Sequence, residues 1–142
     1  MISNFLQMPG FLKFLTMMAL ACIIFIISTL LPGSVNIHGQ LVSTRQWWSN
    51  GSGYILAVSL MPLCSSGILM LRRVAYSRFL HICGWILSGI GAFVTVKIND
   101  VTLSQRVECA YAGFSIASTI VFAAYLYFNR DVRSYFEGQI QR

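Results

Sequence analysis

Four long apolar segments occupy most of this chain, and each approaches the length that a helix needs to cross a membrane. The segments are residues 11–32, 53–71, 79–96 and 107–128. A helix of about 20 apolar residues spans the roughly 30 Å hydrocarbon layer of a bilayer. Backbone polar groups in lipid are satisfied only in helices or closed barrels. We therefore expect an all-α fold, a bundle of four transmembrane helices.

The composition also favours a membrane protein over a soluble domain. Of the 142 residues, 56% are hydrophobic and 10% are charged, and the mean hydropathy is +0.70. Soluble domains average about 45–50% apolar and about 25% charged residues. A soluble protein with four buried helices would leave almost nothing polar to cover them. We expect residues 1–142 to form a single transmembrane domain.

Three arginines stand together between the second and third spans, at Arg72, Arg73 and Arg78. Short loops rich in Lys and Arg remain on the cytoplasmic side of a membrane, so we expect this loop and both chain termini to lie inside. The inner basic residues are then Lys13, Arg72, Arg73, Arg78, Arg130, Arg133 and Arg142, and the outer ones are Arg45, Lys97 and Arg106. Seven inside against three outside agrees with the same rule.

The first span has an alternative interpretation as a cleaved signal, because residues 18–22 (MALAC) resemble a lipoprotein cleavage site ending at Cys22. A cleaved signal has a short apolar region, small residues and then a polar start to the mature chain. Here the chain continues after Cys22 with IIFIISTLL, which is apolar. We therefore expect a retained transmembrane helix.

The longest segment between spans, residues 33–52, is expected to be an outer loop. It contains Arg45 and, just before the second span, Trp47 and Trp48. Indole rings favour the headgroup layer, so the pair is predicted to anchor the loop at the interface. The alternative is a contact surface for a partner outside the membrane, because Trp is enriched in binding hot spots.

Glu108, in the first turn of the fourth span, is the best candidate for an ion or partner contact. Ionisable residues within spans are the usual markers of transport pathways. The carboxylate could pair with Arg45, Lys97 or Arg106 at the outer edge. It could equally stabilise the positive N-terminus of its own helix, which is the simpler interpretation.

Small residues recur at helical spacing in the third and fourth spans. In lipid, helices pack closely where small side chains let the backbones approach. We therefore expect these two spans to face each other along much of their length. The residues of this predicted interface are Gly84, Ser88, Gly91 and Ala92 in the third span and Cys109, Gly113 and Ala117 in the fourth.

The chain offers few groups for catalysis or cofactor binding. It has four acidic residues and no Ser-His-Asp set, phosphate-binding glycine loop or metal-ligand spacing, so we expect no enzyme activity, cofactor or metal site. The net charge of +6 is not accompanied by a nucleic-acid motif, so no nucleic-acid partner is expected.

The four cysteines form no CxxC pair, and none lies in a loop. We interpret them as small hydrophobic side chains rather than as redox groups. They are Cys22 and Cys64 in mid-span, Cys83 towards the inner side and Cys109 near the outer end.

The two histidines lie on opposite sides of the predicted membrane, which argues against shared ligation of a haem or metal. His38 is in the outer loop and His81 is one turn inside the inner edge of the third span. His81 is expected to be interfacial, with pH sensing as an alternative.

The C-terminal tail, residues 129–142, is polar and has Val132, Tyr135 and Phe136 at helical spacing. This pattern predicts a short amphipathic helix on the inner membrane surface, with Arg130 and Arg133 near anionic headgroups.

Two stretches, GILMLRRVAYSRFLHICGW (67–85) and YLYFNRDVRSYF (125–136), resemble the Arg-rich turn and cytoplasmic exit of small, functionally uncharacterised bacterial inner-membrane proteins with four spans. The resemblance covers about a quarter of the chain. It implies a bacterial inner membrane and no activity or site.

Abundant packing surfaces and few catalytic groups predict a non-catalytic protein that binds another membrane protein. Its most concrete form is an immunity protein against a pore-forming toxin, an analogy of architecture alone. The alternatives are a small oligomeric transporter or channel that uses Glu108, and an accessory or assembly subunit of a larger membrane complex. Membrane lipid, a membrane-protein partner and self-association are the expected contacts.

Overall fold

Seven helices and one β-hairpin make up the part of the chain that the computed structural model describes, residues 1–37 and 39–138. In chain order these are α1 (Ile2–Leu6), α2 (Gly10–Ser28), β1 (Ser34–Ile37), β2 (Gln40–Ser43), α3 (Thr44–Ser49), α4 (Ser52–Leu71), α5 (Ser77–Ile98), α6 (Gln105–Phe128) and α7 (Arg130–Glu137).

Four of these helices, α2, α4, α5 and α6, are long and apolar enough to cross a membrane. This confirms a mostly helical chain with four candidate spans, as a multi-pass membrane protein requires. The sidedness of the termini and the identity of the membrane stay predictions. The first span is shorter than predicted and ends at Ser28, because Pro32 and Gly33 follow closely and the residue before a proline disfavours helix.

The segment predicted as an outer loop is folded into a short hairpin and a short helix, within a chain that is mostly helical as predicted. β1 and β2 pair antiparallel, from Ser34 opposite Ser43 to Ile37 opposite Gln40. The Ser43 hydroxyl then accepts a hydrogen bond from the Gln46 backbone N–H and caps α3. A hairpin and a six-residue helix therefore cover this end of the bundle.

Helix α4 lies between α2 and α5, and α6 packs against α5; Phe11 of α2 also packs edge-on against Tyr125 of α6. Two apolar clusters fill the bundle, one at each end. At the hairpin end, the end that carries β1, β2 and α3, the cluster is Ala19, Ile37, Val42, Trp47, Leu56, Leu60, Leu63, Val96 and Val101. At the arginine end, the end that carries Arg72, Arg73 and Arg78, it is Met8, Leu12, Leu15, Met70, Leu126, Val132, Tyr135 and Phe136.

The predicted amphipathic helix exists as α7, but its apolar face packs on protein. Asn129 caps it by accepting hydrogen bonds from two backbone N–H groups of its first turn. Val132, Tyr135 and Phe136 are buried in the arginine-end cluster. The helix is therefore docked on the bundle rather than laid on a membrane surface, a difference that periodicity alone cannot reveal. Residues 139–142 of the predicted tail lie outside the described residues.

The third and fourth spans, α5 and α6, do pack against each other as predicted, but two of the residues predicted for that contact face another helix. Gly84 and Gly91 of α5 face α4: a Cβ added at Gly84 would lie 2.5 Å from the Leu63 backbone nitrogen, and one at Gly91 would overlap the Ser59 hydroxyl. Ser88 and Ala92 are half-buried beside them. Small residues mark where a helix can be approached closely but carry no information about which neighbour approaches.

Candidate functional site

Helix α6 is the least enclosed of the four candidate spans. Only 11% of its most apolar stretch is buried within the protein, against 39% for α4. Leu126 is its single buried residue among those described. In a molecule this apolar, the outer face of α6 must contact either lipid or another protein.

Three residues of that outer face are small: Cys109, Gly113 and Ala117 are all exposed. Their spacing of four places them on one side of the helix. A Cβ added at Gly113 would have no atom of the described chain within 4 Å. We call these three residues the α6 ridge. The sequence predicted that they pack on α5, and the structure turns them outward.

The contact between α5 and α6 uses a different side of α6. Trp85 Nε1 donates a hydrogen bond to Ser118 Oγ at 2.8 Å. One turn towards the hairpin end, a Cβ added at Gly89 would lie 2.7 Å from Ser115 Oγ. These serines are the residues of the α5–α6 interface that sequence reasoning missed.

Beside this contact, an apolar groove of about 530 Å³ runs between α5 and α6. Its lining is almost wholly aliphatic and aromatic and includes Ile86, Ile90, Phe93, Tyr111, Ile116 and Ile120. The groove and the α6 ridge together form a broad apolar surface. The small residues of the ridge lie along one side of this surface.

Glu108 lies at one end of the groove and is engaged in an ion pair. Its Oε1 atom accepts a hydrogen bond from Lys97 Nζ at 2.8 Å, and both side chains are partly exposed. Of its three predicted cationic partners, Lys97 is the one that pairs; among the described residues, Arg45 and Arg106 form no ion pair. An exposed pair contributes about 0–1 kcal/mol. This arrangement joins α5 to α6 near the hairpin end.

The tryptophans predicted as an interfacial anchor or a partner surface hold the hairpin end together. Trp47 is only 3% exposed and belongs to the apolar cluster there. The half-buried Trp48 donates its indole N–H to the Thr29 carbonyl at 2.7 Å and packs edge-on against Tyr54. Trp47 is thus unavailable to a partner in this conformation.

Two of the three clustered arginines contact α7, and one of them also contacts the end of α6. The Arg73 guanidinium lies 4.8 Å from the Tyr135 ring centroid and donates a hydrogen bond to Gln7 Oε1. Arg78 lies over the rings of Phe136 and Tyr127, at 5.2 and 5.3 Å. Arg72 is exposed. The sequence singled these residues out for topology, whereas the side chains of Arg73 and Arg78 also hold the C-terminal helix.

His81 is buried in the bundle, which corrects its predicted interfacial position. It is 0% exposed, and its Nδ1 atom lies 3.0 Å from Ser66 Oγ. Ser66 donates its proton to the Leu63 carbonyl at 2.6 Å, so its oxygen accepts from a protonated Nδ1. His81 Nε2 is then a buried acceptor, and it has no partner among the described residues. His38 lies outside the described residues.

Within residues 1–37 and 39–138, no three His, Cys, Asp or Glu side chains come together in an arrangement that would hold a metal ion. No protein-family model, curated protein or solved structure matches this chain at a significant level.

Proposed function

We propose that this protein is a non-catalytic membrane protein that binds a transmembrane helix of another membrane-inserted protein along the α6 ridge. The observation that carries the proposal is the outward position of Gly113, which faces open space within a row of small residues. Lipid provides no hydrophobic drive for helices to associate, so close approach at small residues is a main source of affinity.

The other small-residue faces of the bundle are already used. Gly67 packs against Ala19 of α2, and Gly84 packs against Leu63 of α4. The α6 ridge is also made of small residues, and no atom of the described residues lies within 4 Å of a Cβ added at its Gly113. The adjacent groove would receive larger side chains of the same partner helix, whose own small residues would meet the ridge.

The most concrete form of this function is immunity to a pore-forming toxin in a bacterial inner membrane, with both termini of the chain in the cytoplasm. A partner helix held on α6 could not join an assembling pore. An accessory subunit of a larger complex would use the same surface. This form rests on analogy of architecture.

The test compares a variant of α6 with a variant of α4 in a mild-detergent pull-down from native membranes. Gly113→Leu fills the ridge at a position where no described atom lies within 4 Å of an added Cβ, and Val58→Leu adds bulk at an exposed position on another helix, α4. We expect a stoichiometric membrane-protein partner that the wild type and Val58→Leu retain and Gly113→Leu loses. Equal recovery with all three proteins, or recovery of the chain alone, would contradict the proposal.

The immunity form has a separate test in cells. Deletion should sensitise the cells to a toxin encoded nearby, and the wild type should restore resistance while Gly113→Leu does not. Unchanged sensitivity after deletion would eliminate immunity and leave helix binding to be judged by the pull-down.

A further inference from the structure

A polar pocket of about 410 Å³ opens at the arginine end of the bundle, between the segment that precedes α2 and helix α7. This volume lies within the range of about 300–1,000 Å³ that small-molecule sites occupy. The pocket shares no lining residue with the groove beside α6. Its polar lining residues are Gln7, Arg73, Asp131, Ser134 and Tyr135.

One wall of the pocket carries hydrogen-bond donors. The Arg73 guanidinium stacks on the Tyr135 ring and donates a hydrogen bond to Gln7 Oε1. These contacts fix the plane of the guanidinium and leave its other N–H groups, which point outward in that plane, for further acceptors. Gln7 Nε2 is likewise a donor without a partner among the described residues. A planar guanidinium beside an amide donor is suited to phosphate oxygens.

The opposite wall, on α7, carries hydrogen-bond acceptors. Within residues 1–37 and 39–138, the Asp131 carboxylate forms no ion pair or hydrogen bond. Ser134 donates its hydroxyl proton to the Asp131 carbonyl at 3.0 Å, so its oxygen remains an acceptor. A carboxylate next to a hydroxyl oxygen is suited to a cation that has N–H groups.

Arg73 and Asp131 line the same pocket but do not pair with each other. Two opposite charges held apart in one pocket are complementary to a zwitterion, with its anionic group at Arg73 and its ammonium at Asp131. A trimethylammonium group has no N–H to donate and is bound by aromatic cages. The one aromatic ring in the lining, Tyr135, is already covered by Arg73. The pocket therefore favours a primary ammonium.

The pocket lies where two candidate spans begin and end. Pro9 lines it immediately before α2, and Arg73 lines it two residues after α4 ends at Leu71. In a bilayer that these helices cross, this is the level of the lipid headgroups. The exposed rings of Phe11 and Phe14 stack at 5.8 Å in the first turns of α2 and offer an apolar surface to acyl chains.

We propose that this pocket binds the phosphoethanolamine headgroup of phosphatidylethanolamine. The phosphate accepts hydrogen bonds from Arg73 and Gln7 Nε2. The ammonium donates to the Asp131 carboxylate and to Ser134 Oγ. The bound headgroup joins α7 to the segment before α2, and it uses a surface separate from the α6 ridge.

The experiment is a lipid competition on the purified full chain in detergent. The protein is mixed with equimolar phosphatidylethanolamine, phosphatidylcholine and phosphatidylglycerol of identical acyl chains, and native mass spectrometry measures the bound lipids. We expect the phosphatidylethanolamine adduct to exceed each of the others by roughly fivefold, as one exposed ion pair allows. Equal adducts of the three lipids would overturn the proposal.

The ammonium contact is tested with Asp131→Asn. Phosphatidylglycerol has no cation, so this variant should bind it about as well as phosphatidylethanolamine. The matched control is Glu137→Gln, which removes the same charge from the same helix at a residue paired with Arg133 and outside the pocket. The control should keep the wild-type preference. A preference that persists in Asp131→Asn would overturn the assignment of the ammonium.

The phosphate contact is tested with Gln7→Glu, which places a carboxylate beside Arg73. The new ion pair should hold α7 in place, so thermal stability should not fall, while all three lipids bind more weakly. Ser3→Glu adds the same charge to an exposed residue of α1 outside the pocket and should bind the lipids as the wild type does. Equal binding by these two variants would overturn the phosphate site.

A lipid is distinguished from a soluble zwitterion by adding glycerophosphoethanolamine, which carries the same headgroup without acyl chains. A large molar excess should leave the phosphatidylethanolamine adduct in place, because the acyl chains contribute along α2. Displacement of the lipid by this compound would overturn its assignment as the ligand.

Discussion

Two helices end on a residue other than glycine in the left-handed region, Arg73 after α4 and Asp100 after α5, with φ of 58° and 53°. Each helix ends in the Schellman hydrogen-bonding pattern, in which glycine is the preferred left-handed residue. Val74 N–H donates to the Leu69 carbonyl, and Val101 N–H donates to the Val96 carbonyl. The backbone cost is roughly 1 kcal/mol at each site. The two residues differ in whether their side chains make contacts that offset this cost.

Asp100→Gly should raise the free energy of unfolding by about 0.5–1 kcal/mol, because within the described chain the Asp100 side chain makes no hydrogen bond or ion pair. Arg73→Gly should give no such gain, because it removes the contacts with Tyr135 and Gln7. Thermal unfolding in one detergent compares the two directly. Equal stabilisation by both would show that the Arg73 contacts contribute nothing.

Ser66→Ala should destabilise the protein by about 1–3 kcal/mol, because it leaves the buried Nδ1–H of His81 without an acceptor. Ser65→Ala changes the neighbouring exposed residue and is the matched control. The measurement is thermal unfolding of both variants against the wild type. A similar small effect from both would mean that the Ser66–His81 bond adds little.

At the scale of elements, the bundle depends on which helix each small residue faces. Apolar composition and length predict α2, α4, α5 and α6 because they are local properties. The neighbours of α5 were not predictable, because lipid and protein interiors both accept apolar side chains and the usual inside–outside pattern is weak. The hairpin did leave a signal: Val35, Ile37 and Val42 are β-branched, and Gly39 stands between the two strands.

Gly84→Ala should destabilise the protein by about 1–3 kcal/mol, because the new methyl group meets the α4 backbone at Leu63. Gly113→Ala, on the α6 ridge, should leave stability unchanged or raise it by up to about 1 kcal/mol through helix propensity. Unfolding in detergent measures both. If Gly113→Ala instead destabilised the protein more than Gly84→Ala, that result would support the sequence-based prediction that the α6 ridge packs on α5.

The docking of α7 should weaken at high pH. Burial raises the pKa of the Tyr135 phenol above its ordinary value of 10.0, with Arg73 opposing the shift. The neutral phenol donates to the Met70 carbonyl at 3.0 Å. The pKa of the phenol is raised only in the docked state. Its contribution to the docking of α7 is therefore complete below pH 10.0 and is lost as the pH rises through the pKa of the docked state. The rate of hydrogen exchange at the α7 backbone amides should rise over that pH range. Tyr135→Phe has no ionisable phenol, so the part of the rise that comes from its ionisation should be absent in this variant.

At the scale of the whole molecule, both ends of the bundle are closed by the chain itself, and α6 is the least enclosed of its long sides. The hairpin end is covered by β1, β2 and α3, and the arginine end by α1 and α7. The least enclosed side is the outer face of α6 and the groove beside it. The sequence identified the small residues of the α6 ridge as a packing surface, but their outward direction follows only from the packing of the other helices.

Photo-crosslinking in native membranes tests this account most directly. A photoreactive residue at position 117, on the α6 ridge, is compared with one at position 58, which is exposed on another helix, α4. A discrete crosslink to a second membrane protein is expected from position 117, and lipid adducts alone are expected from position 58. Lipid adducts alone from both positions would contradict it.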